Sequence, residues 1–169
     1  MLDRHTLEII FKEHHAQCVA FAMHYTGDEH EAEEVVQQVF LRLWEKRETI
    51  DINIAVRSYL FAAIRNTAVS NWRKDTVRKE KENIAGTSRF ADPSLQSSVW
   101  ELEKMYHEAL ISLPERCREV FILSRHNQLK YAEIAEVMDI SVKTVENQMG
   151  KALKIMHTAL REYLASILL

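Results

Sequence analysis

The chain has 169 residues, with Lys plus Arg at 22 against Asp plus Glu at 25, a formal charge of −3. That is room for one ordinary domain or two small ones. Three glycines and two prolines, against average usage of roughly 7% and 5%, leave too few turn formers for a β-rich fold. Gly27, Gly86 and Gly150 stand alone, so neither G-x-G-x-x-G nor G-x-x-x-x-G-K can be written, and both standard phosphate-cradling loops are excluded.

In chain order, the first helix is announced by Leu7, Ile10, Phe11, Cys18, Phe21, Ala22 and Tyr25 at three- and four-residue spacing. Thr26-Gly27-Asp28 should stop it, with Gly27 in a left-handed conformation and Asp28 capping the next helix. That second helix is expected from Asp28 to about Glu48, its apolar stripe being Ala32, Val35, Val36, Val39, Phe40, Leu43 and Trp44. After a break around residues 50–54, a third stripe follows: Tyr59, Leu60, Ala63, Ile64, Ala68 and Trp72. From Asp75 to Ser97 no apolar period is sustained. Gly86, Pro93 and many polar residues make this a linker. Beyond it, Leu102, Met105, Tyr106, Ala109 and Leu110 form a new helical stripe. Ser112-Leu113-Pro114-Glu115 has the form of a capping box with proline in the first turn. Two short helices and a longer one complete the chain. The fold class expected is all-α: two small helical domains, residues 1–74 and 98–169, joined by a flexible linker over 75–97.

Tyr131 to Met156 carries the pattern of a helix-turn-helix. Ala135 is the small residue where two helices cross, Asp139 occupies the turn, Ile140 plugs it and Ser141 caps the second helix. Asp tolerates the left-handed backbone such a turn requires. In the second helix, Val145, Met149, Ala152 and Met156 fall at i, i+4, i+7 and i+11, an inward stripe. Lys143, Thr144, Asn147, Gly150, Lys151 and Lys154 project from the other side, amides and hydroxyls suited to base edges and lysines to phosphates. An ordinary helical hairpin would account for the apolar stripe but not for this joint pattern.

Charge is unevenly spread. Asp28, Glu29, Glu31, Glu33 and Glu34 form an acidic run, while Arg57 to Lys81 holds Arg57, Arg65, Arg73, Lys74, Arg78, Lys79 and Lys81 against Asp75 and Glu80. Ser141 to Arg161 holds four bases against Glu146. A charge run by itself reads as a solvated face, and these gain meaning only beside the helix-turn-helix. Cys18 and Cys117 form no C-x-x-C pair and point to packing in a reducing compartment. The first ten residues carry an acid and a base and no long apolar core, so they are not read as a secretory signal. No stretch reaches the length of a membrane span. A cytoplasmic protein is expected.

With these segments in view, the whole chain resembles the extracytoplasmic function subfamily of RNA polymerase sigma factors. EAEEVVQQVFLRLWEKR (residues 31–47) resembles that family's core-polymerase-binding helix, usually A-E-D-I-V-Q-E-V-F. SYLFAAIRNTAVSNWRK (residues 58–74) resembles its promoter-melting helix, and LPERCREVFIL with YAEIAEVMDISVKTVE its C-terminal domain. The resemblance implies that Glu34, Gln37, Gln38, Phe40 and Trp44 dock on core RNA polymerase. Glu34 and Gln38 depart from the usual Asp and Glu, which bears on the charge contacts there. Phe40 and Trp44 also lie on the apolar stripe and have a second reading as core. Asn66 matches the residue lining a pocket for a flipped base of the minus-ten element. Arg65, Thr67, Asn71, Trp72, Arg73 and Lys74 extend that surface with the polar and aromatic groups an unstacked base requires. Asn147 and Lys151 match the readers of the minus-thirty-five element, with Lys143, Thr144, Glu146, Gln148, Gly150 and Lys154 alongside. Glu146 stands where many members carry a base. The implied partners are core RNA polymerase, promoter DNA and an anti-sigma factor, in many members membrane-anchored. No small-molecule substrate, cofactor or enzymatic activity is expected. About 23 linker residues reach at most ~75–80 Å, enough for two promoter elements that require domains ~55 Å apart.

Two other readings compete. A stand-alone helix-turn-helix regulator with a helical sensor domain leaves residues 37–44 and 66–74 unexplained. A metal enzyme built on His14, His15, Cys18 and His24 does not match common zinc spacings.

Overall fold

The computed structural model describes residues 1–51, 55–82 and 98–168, without side chains at 76–82, 98–100 and 166–168. Among the described residues there are seven helices and no strand: α1 (Arg4–Thr26), α2 (Glu29–Glu45), α3 (Val56–Glu82), α4 (Ser98–Ser112), α5 (Glu115–Arg125), α6 (Tyr131–Met138) and α7 (Val142–Leu168). The chain divides into two compact units, Met1–Ala91 and Asp92–Leu169. The all-α expectation is met.

In the first unit α2 packs against both α1 and α3, and α1 also packs on α3. Asp3 caps α1, its Oδ1 accepting from the Thr6 N–H at 2.7 Å. Gly27 ends the helix at φ 68°, its N–H donating to the Met23 carbonyl at 2.9 Å. One residue on, the Asp28 carboxylate accepts from the Glu31 N–H at 3.0 Å and starts α2. Both halves of this expected helix break are therefore formed. Phe21 meets Phe61 edge-on at 4.8 Å between centroids, and Val36, Val39, Leu60 and Ile64 are fully buried as well. Leu2 is buried too, and its N–H donates to the Arg47 carbonyl at 2.9 Å.

Three expectations for this unit change. Among the described residues of α3 the last buried one is Ala68, so Trp72 lies one turn beyond it and is 62% exposed, and Tyr59 is likewise on the surface. Phe61, left out of the expected stripe, is buried instead. The helix itself runs to Glu82, eight residues into the segment read as linker. Arg78 to Glu82 is a run of Arg, Lys and Glu with good helix propensity, and Asp75 to Val77 contain no Gly or Pro to stop the helix before it. Residues 83–97, with Gly86 and Pro93, and residues 52–54 lie outside the described residues.

In the second unit α7 packs against α4, α5 and α6. The expected capping box at Ser112 is not formed. The Ser112 hydroxyl donates backwards to the Ala109 carbonyl at 2.6 Å, serving the end of α4, and Pro114 itself takes the N-cap of α5. Carbonyls at a helix C-terminus lack intrahelical donors, and Arg118 supplies more of them, its Nη2 donating to Ile111 at 2.8 Å and Leu113 at 3.0 Å. Leu102, expected on the buried stripe of α4, is on the surface, while Ala109 and Leu110 are buried.

The helix-turn-helix forms as the sequence indicates. Asp139 is left-handed at φ 52°, ψ 52°, the Ile140 N–H donates to the Ala135 carbonyl at 3.0 Å, and Ser141 Oγ accepts from the Thr144 N–H at 3.1 Å. Val145, Met149, Ala152 and Met156 are all buried. At the start of α6, the Glu133 carboxylate accepts from the Lys130 N–H at 2.7 Å.

Gly27 has open space around it but a backbone that disfavours a side chain. Gly27→Ala is expected to lower stability by about 1 kcal/mol, measured as a shift in the urea midpoint. No shift would mean that the turn relaxes without cost.

Candidate nucleic-acid interfaces

Helix α2 carries two different surfaces on opposite sides, as its 3.6-residue period requires. On one side Gln37, Phe40, Leu41 and Trp44 meet Arg4, Leu7 and Phe11 of α1 in an open groove of about 610 Å³. Phe40 forms its floor, buried and edge-on to Phe11 at 5.1 Å. Trp44 is half-buried, with the Arg47 guanidinium 4.6 Å from its ring centroid. Leu41 is 63% exposed at the rim. Of the five residues expected to dock on polymerase, Gln37, Phe40 and Trp44 come together here. Glu34 and Gln38 are exposed outside the groove, Glu34 facing His30 at 3.5 Å. Sequence reasoning missed Leu7 and Phe11 as wall residues and Leu41 altogether. The available signal was an apolar residue at position 41, outside the core stripe of α2.

On the other side of α2, Arg42 and Lys46 face α3 across a pocket of about 350 Å³, whose far wall includes Asn66, Thr67, Ser70, Asn71 and Lys74. Four residues of the expected minus-ten set thus share one cavity. Arg65 is half-buried, and Arg73 and Trp72 are exposed elsewhere on the helix. Thr67 is buried rather than presented to solvent, and its Oγ1 accepts from Arg42 Nη1 at 3.1 Å. This bond ties the two walls together. It also leaves the other donors of the Arg42 fork near the cavity. Arg42 and Lys46, which the sequence stripe did not single out, join Lys74 to make the cavity cationic.

The outward face of α7 is the third surface. Lys143, Glu146, Asn147, Gly150, Lys151 and Lys154 are all exposed. Two residues expected there make hydrogen bonds within the protein. Gln148 is half-buried, its Oε1 accepting from the buried Cys117 thiol at 2.8 Å, and the Thr144 hydroxyl lies 2.8 Å from Ser141 Oγ within the cap. Gly150 sits in the interior of the helix, where glycine costs about 1 kcal/mol against alanine.

Among the described residues, no three His, Cys, Asp or Glu side chains group to hold a metal ion. Burial pushes the Cys18 thiol up to about 12, which keeps it protonated and poorly suited to ligation or attack.

Cavity, groove and exposed polar helix face define a two-part helical protein with a helix-turn-helix in its second part. Comparison with known proteins narrows this class. Residues 10–78 match the model of sigma-70 region 2, and residues 103–156 match that of sigma-70 region 4. The chain is 26% identical over 152 residues to the extracytoplasmic function (ECF) sigma factor SigW of Bacillus subtilis, covering 80% of this chain and 79% of SigW. It is 28% identical over 162 residues to the ECF sigma factor SigL of Mycobacterium tuberculosis, covering 92% and 89%. The fold is similar to that of the sigma factor RpoE from Bartonella quintana, solved in complex with the anti-sigma factor NepR: the TM-score is 0.76 at 20% identity, over 91% of this chain and 96% of RpoE. The chain belongs to the sigma-70 family and, within it, to the extracytoplasmic function sigma factors.

Arg42→Ala withdraws a donor from a buried hydroxyl and should lower stability by about 1 kcal/mol, read from denaturant unfolding. An unchanged midpoint would show that the bond between α2 and α3 contributes nothing net.

Proposed function

We infer that this chain binds core RNA polymerase and directs it to promoters, so that DNA-templated transcription starts at sequences the chain recognises. The observation that carries this is the succession of sigma-70 region 2 and region 4 along one chain, at residues 10–78 and 103–156. A stand-alone helix-turn-helix regulator would have no use for the first of these regions.

Within that function we assign roles to the surfaces. The groove at Gln37, Phe40 and Trp44 is the docking site for polymerase, with Glu34 and Gln38 on the adjoining surface. The pocket at Asn66, Asn71 and Lys74 takes a flipped base of the minus-ten element, and Arg65, Trp72 and Arg73 support the melted strand. Thr67 acts by positioning the pocket wall through Arg42. The exposed face of α7, with Asn147 and Lys151 as principal readers, enters the major groove of the minus-thirty-five element. Residues 1–74 and 98–169 are thus the two functional parts and 75–97 connects them. RpoE was solved in complex with the anti-sigma factor NepR, and this chain is proposed to be bound by an anti-sigma factor of its own.

The chain has no enzymatic activity of its own and acts in the cytoplasm, where the polymerase is. No helix among the described residues is long and apolar enough to cross a membrane. Non-specific DNA affinity comes from phosphate neutralisation, so a formal charge of −3 suits a subunit that meets DNA only inside a larger complex.

The test is reconstitution: purified chain, core RNA polymerase and genomic DNA fragments, with transcripts mapped to their start sites. Discrete chain-dependent starts are expected. Tight sequence-specific binding by the free chain without any polymerase complex would instead favour the regulator. Asn66→Ala is expected to slow open-complex formation while sparing polymerase binding; loss of both would assign Asn66 to folding. Lys151→Ala should make the salt dependence of promoter binding shallower by about 0.9 if the lysine meets one phosphate. An unchanged slope removes Lys151 from the phosphate contacts.

A further inference from the structure

The recognition face of α7 holds one acid, Glu146, among Lys143, Lys151 and Lys154. Its side chain is 48% exposed and stands five residues after the capping Ser141, one turn beyond Lys143 and one turn before Gly150. Lys143 Nζ approaches Glu146 Oε2 at 3.4 Å, engaging that oxygen and leaving the carboxylate at the surface. An exposed i,i+3 pair contributes little to stability, so the ion pair alone does not account for an acid on a face that meets a polyanion.

A carboxylate has no donor, so against DNA it can be accommodated only opposite a donor on a base edge. In the major groove those donors are the exocyclic amino groups of cytosine and adenine. Adenine presents its N7 acceptor beside the amino group, which repels a second anionic oxygen. Cytosine presents no acceptor there. The partner that fits Glu146 is cytosine N4.

Gly150 adds an independent observation. Its φ is not in the left-handed region, and a Cβ built on it meets nothing within 4 Å. Neither backbone conformation nor packing inside the protein calls for glycine, although glycine weakens a helix interior. The space it leaves lies one turn from Glu146, on the same side of the helix. Missing bulk at that point lets a base edge come within reach of a short side chain.

We propose that Glu146 is a specificity-determining residue that accepts a hydrogen bond from cytosine N4 in the upstream promoter element, with Gly150 allowing the close approach. This rests on α7 being the recognition helix. It adds a base identity that the family resemblance does not supply, at a position where this chain departs from many members.

The test uses polymerase holoenzyme reconstituted with the full chain, and a promoter found by the transcript mapping above with its upstream element randomised. Bound sequences are selected and read for wild type, Glu146→Ala, Glu146→Gln and Gly150→Ala. Wild type should prefer C·G at one position. Glu146→Ala should lose about tenfold of preference there and keep the others, while Glu146→Gln should shift that position towards adenine, which a side-chain amide reads bidentately. Gly150→Ala should raise the melting temperature of the free chain yet weaken promoter binding, a combination that a packing role cannot produce. The proposal is overturned if Glu146→Ala leaves the preferences unchanged or tightens binding to every sequence alike. It is also overturned if Gly150→Ala stabilises without weakening binding. Should Asn147→Ala and Lys151→Ala also leave all upstream preferences intact, α7 is not the recognition helix and the underlying assignment fails with it.

Discussion

The first unit depends on α2 having neighbours on two sides. Ala32, Val36, Val39 and Leu43 are all buried, and α2 contacts both α1 and α3. A helix held this way can present functional side chains only along the strips that remain, at the seams with its neighbours. One seam is the apolar groove with α1, the other the cationic pocket with α3. Phe40 belongs to core and groove at once, which dissolves the choice between a packing and a docking role. In a close-packed interior such a residue cannot change without moving both. The surface proposed to grip polymerase and the surface proposed to hold a melted base are thus two sides of one rigid element. The Arg42–Thr67 bond fixes the second side against α3.

In the second unit the corresponding constraint falls on α7. Val145, Met149, Ala152 and Met156 bind its inward face to the rest of the unit, and the Asp139 turn and Ser141 cap set where the helix begins. Because the cap defines the first turn, it also sets which residues point outward. Cys117 draws Gln148 inward, so the outward face is narrower and its chemistry simpler than the residue types suggest: lysines, one asparagine, one glutamate and a glycine. The lysines supply charge that any sequence accepts. Discrimination has to come from the few remaining groups.

Charge follows the same division of labour. A total of −3 would be a handicap for a protein that searches DNA alone, since non-specific affinity grows with the number of phosphates neutralised. Here the acids of residues 28–34 lie at the start of α2, the helix proposed to face polymerase, and the bases cluster on α3 and α7. The net value conceals one acidic surface and two basic ones. Their separation is consistent with promoter recognition that becomes effective only when polymerase supplies the remaining affinity.

Features that depend on neighbours along the chain are legible from the residues alone. Helix periods, the Gly27–Asp28 break, the left-handed Asp139, the Ser141 cap and the inward stripe of α7 are all set within a few residues. Their chemistry is local and readable. Where each helix meets another emerges only in the folded chain. Trp72 obeys the helical period but is exposed; Phe61 breaks the expected stripe yet fits against Phe21. Ser112 has the letters of a capping box, but the carbonyls of α4 claim its hydroxyl. Arg42 looks like any exposed charge until the Thr67 hydroxyl is seen beside it. Burial and hydrogen-bond partners across helices are properties of pairs distant in sequence, and a period of 3.6 residues carries no information about which pairs will meet.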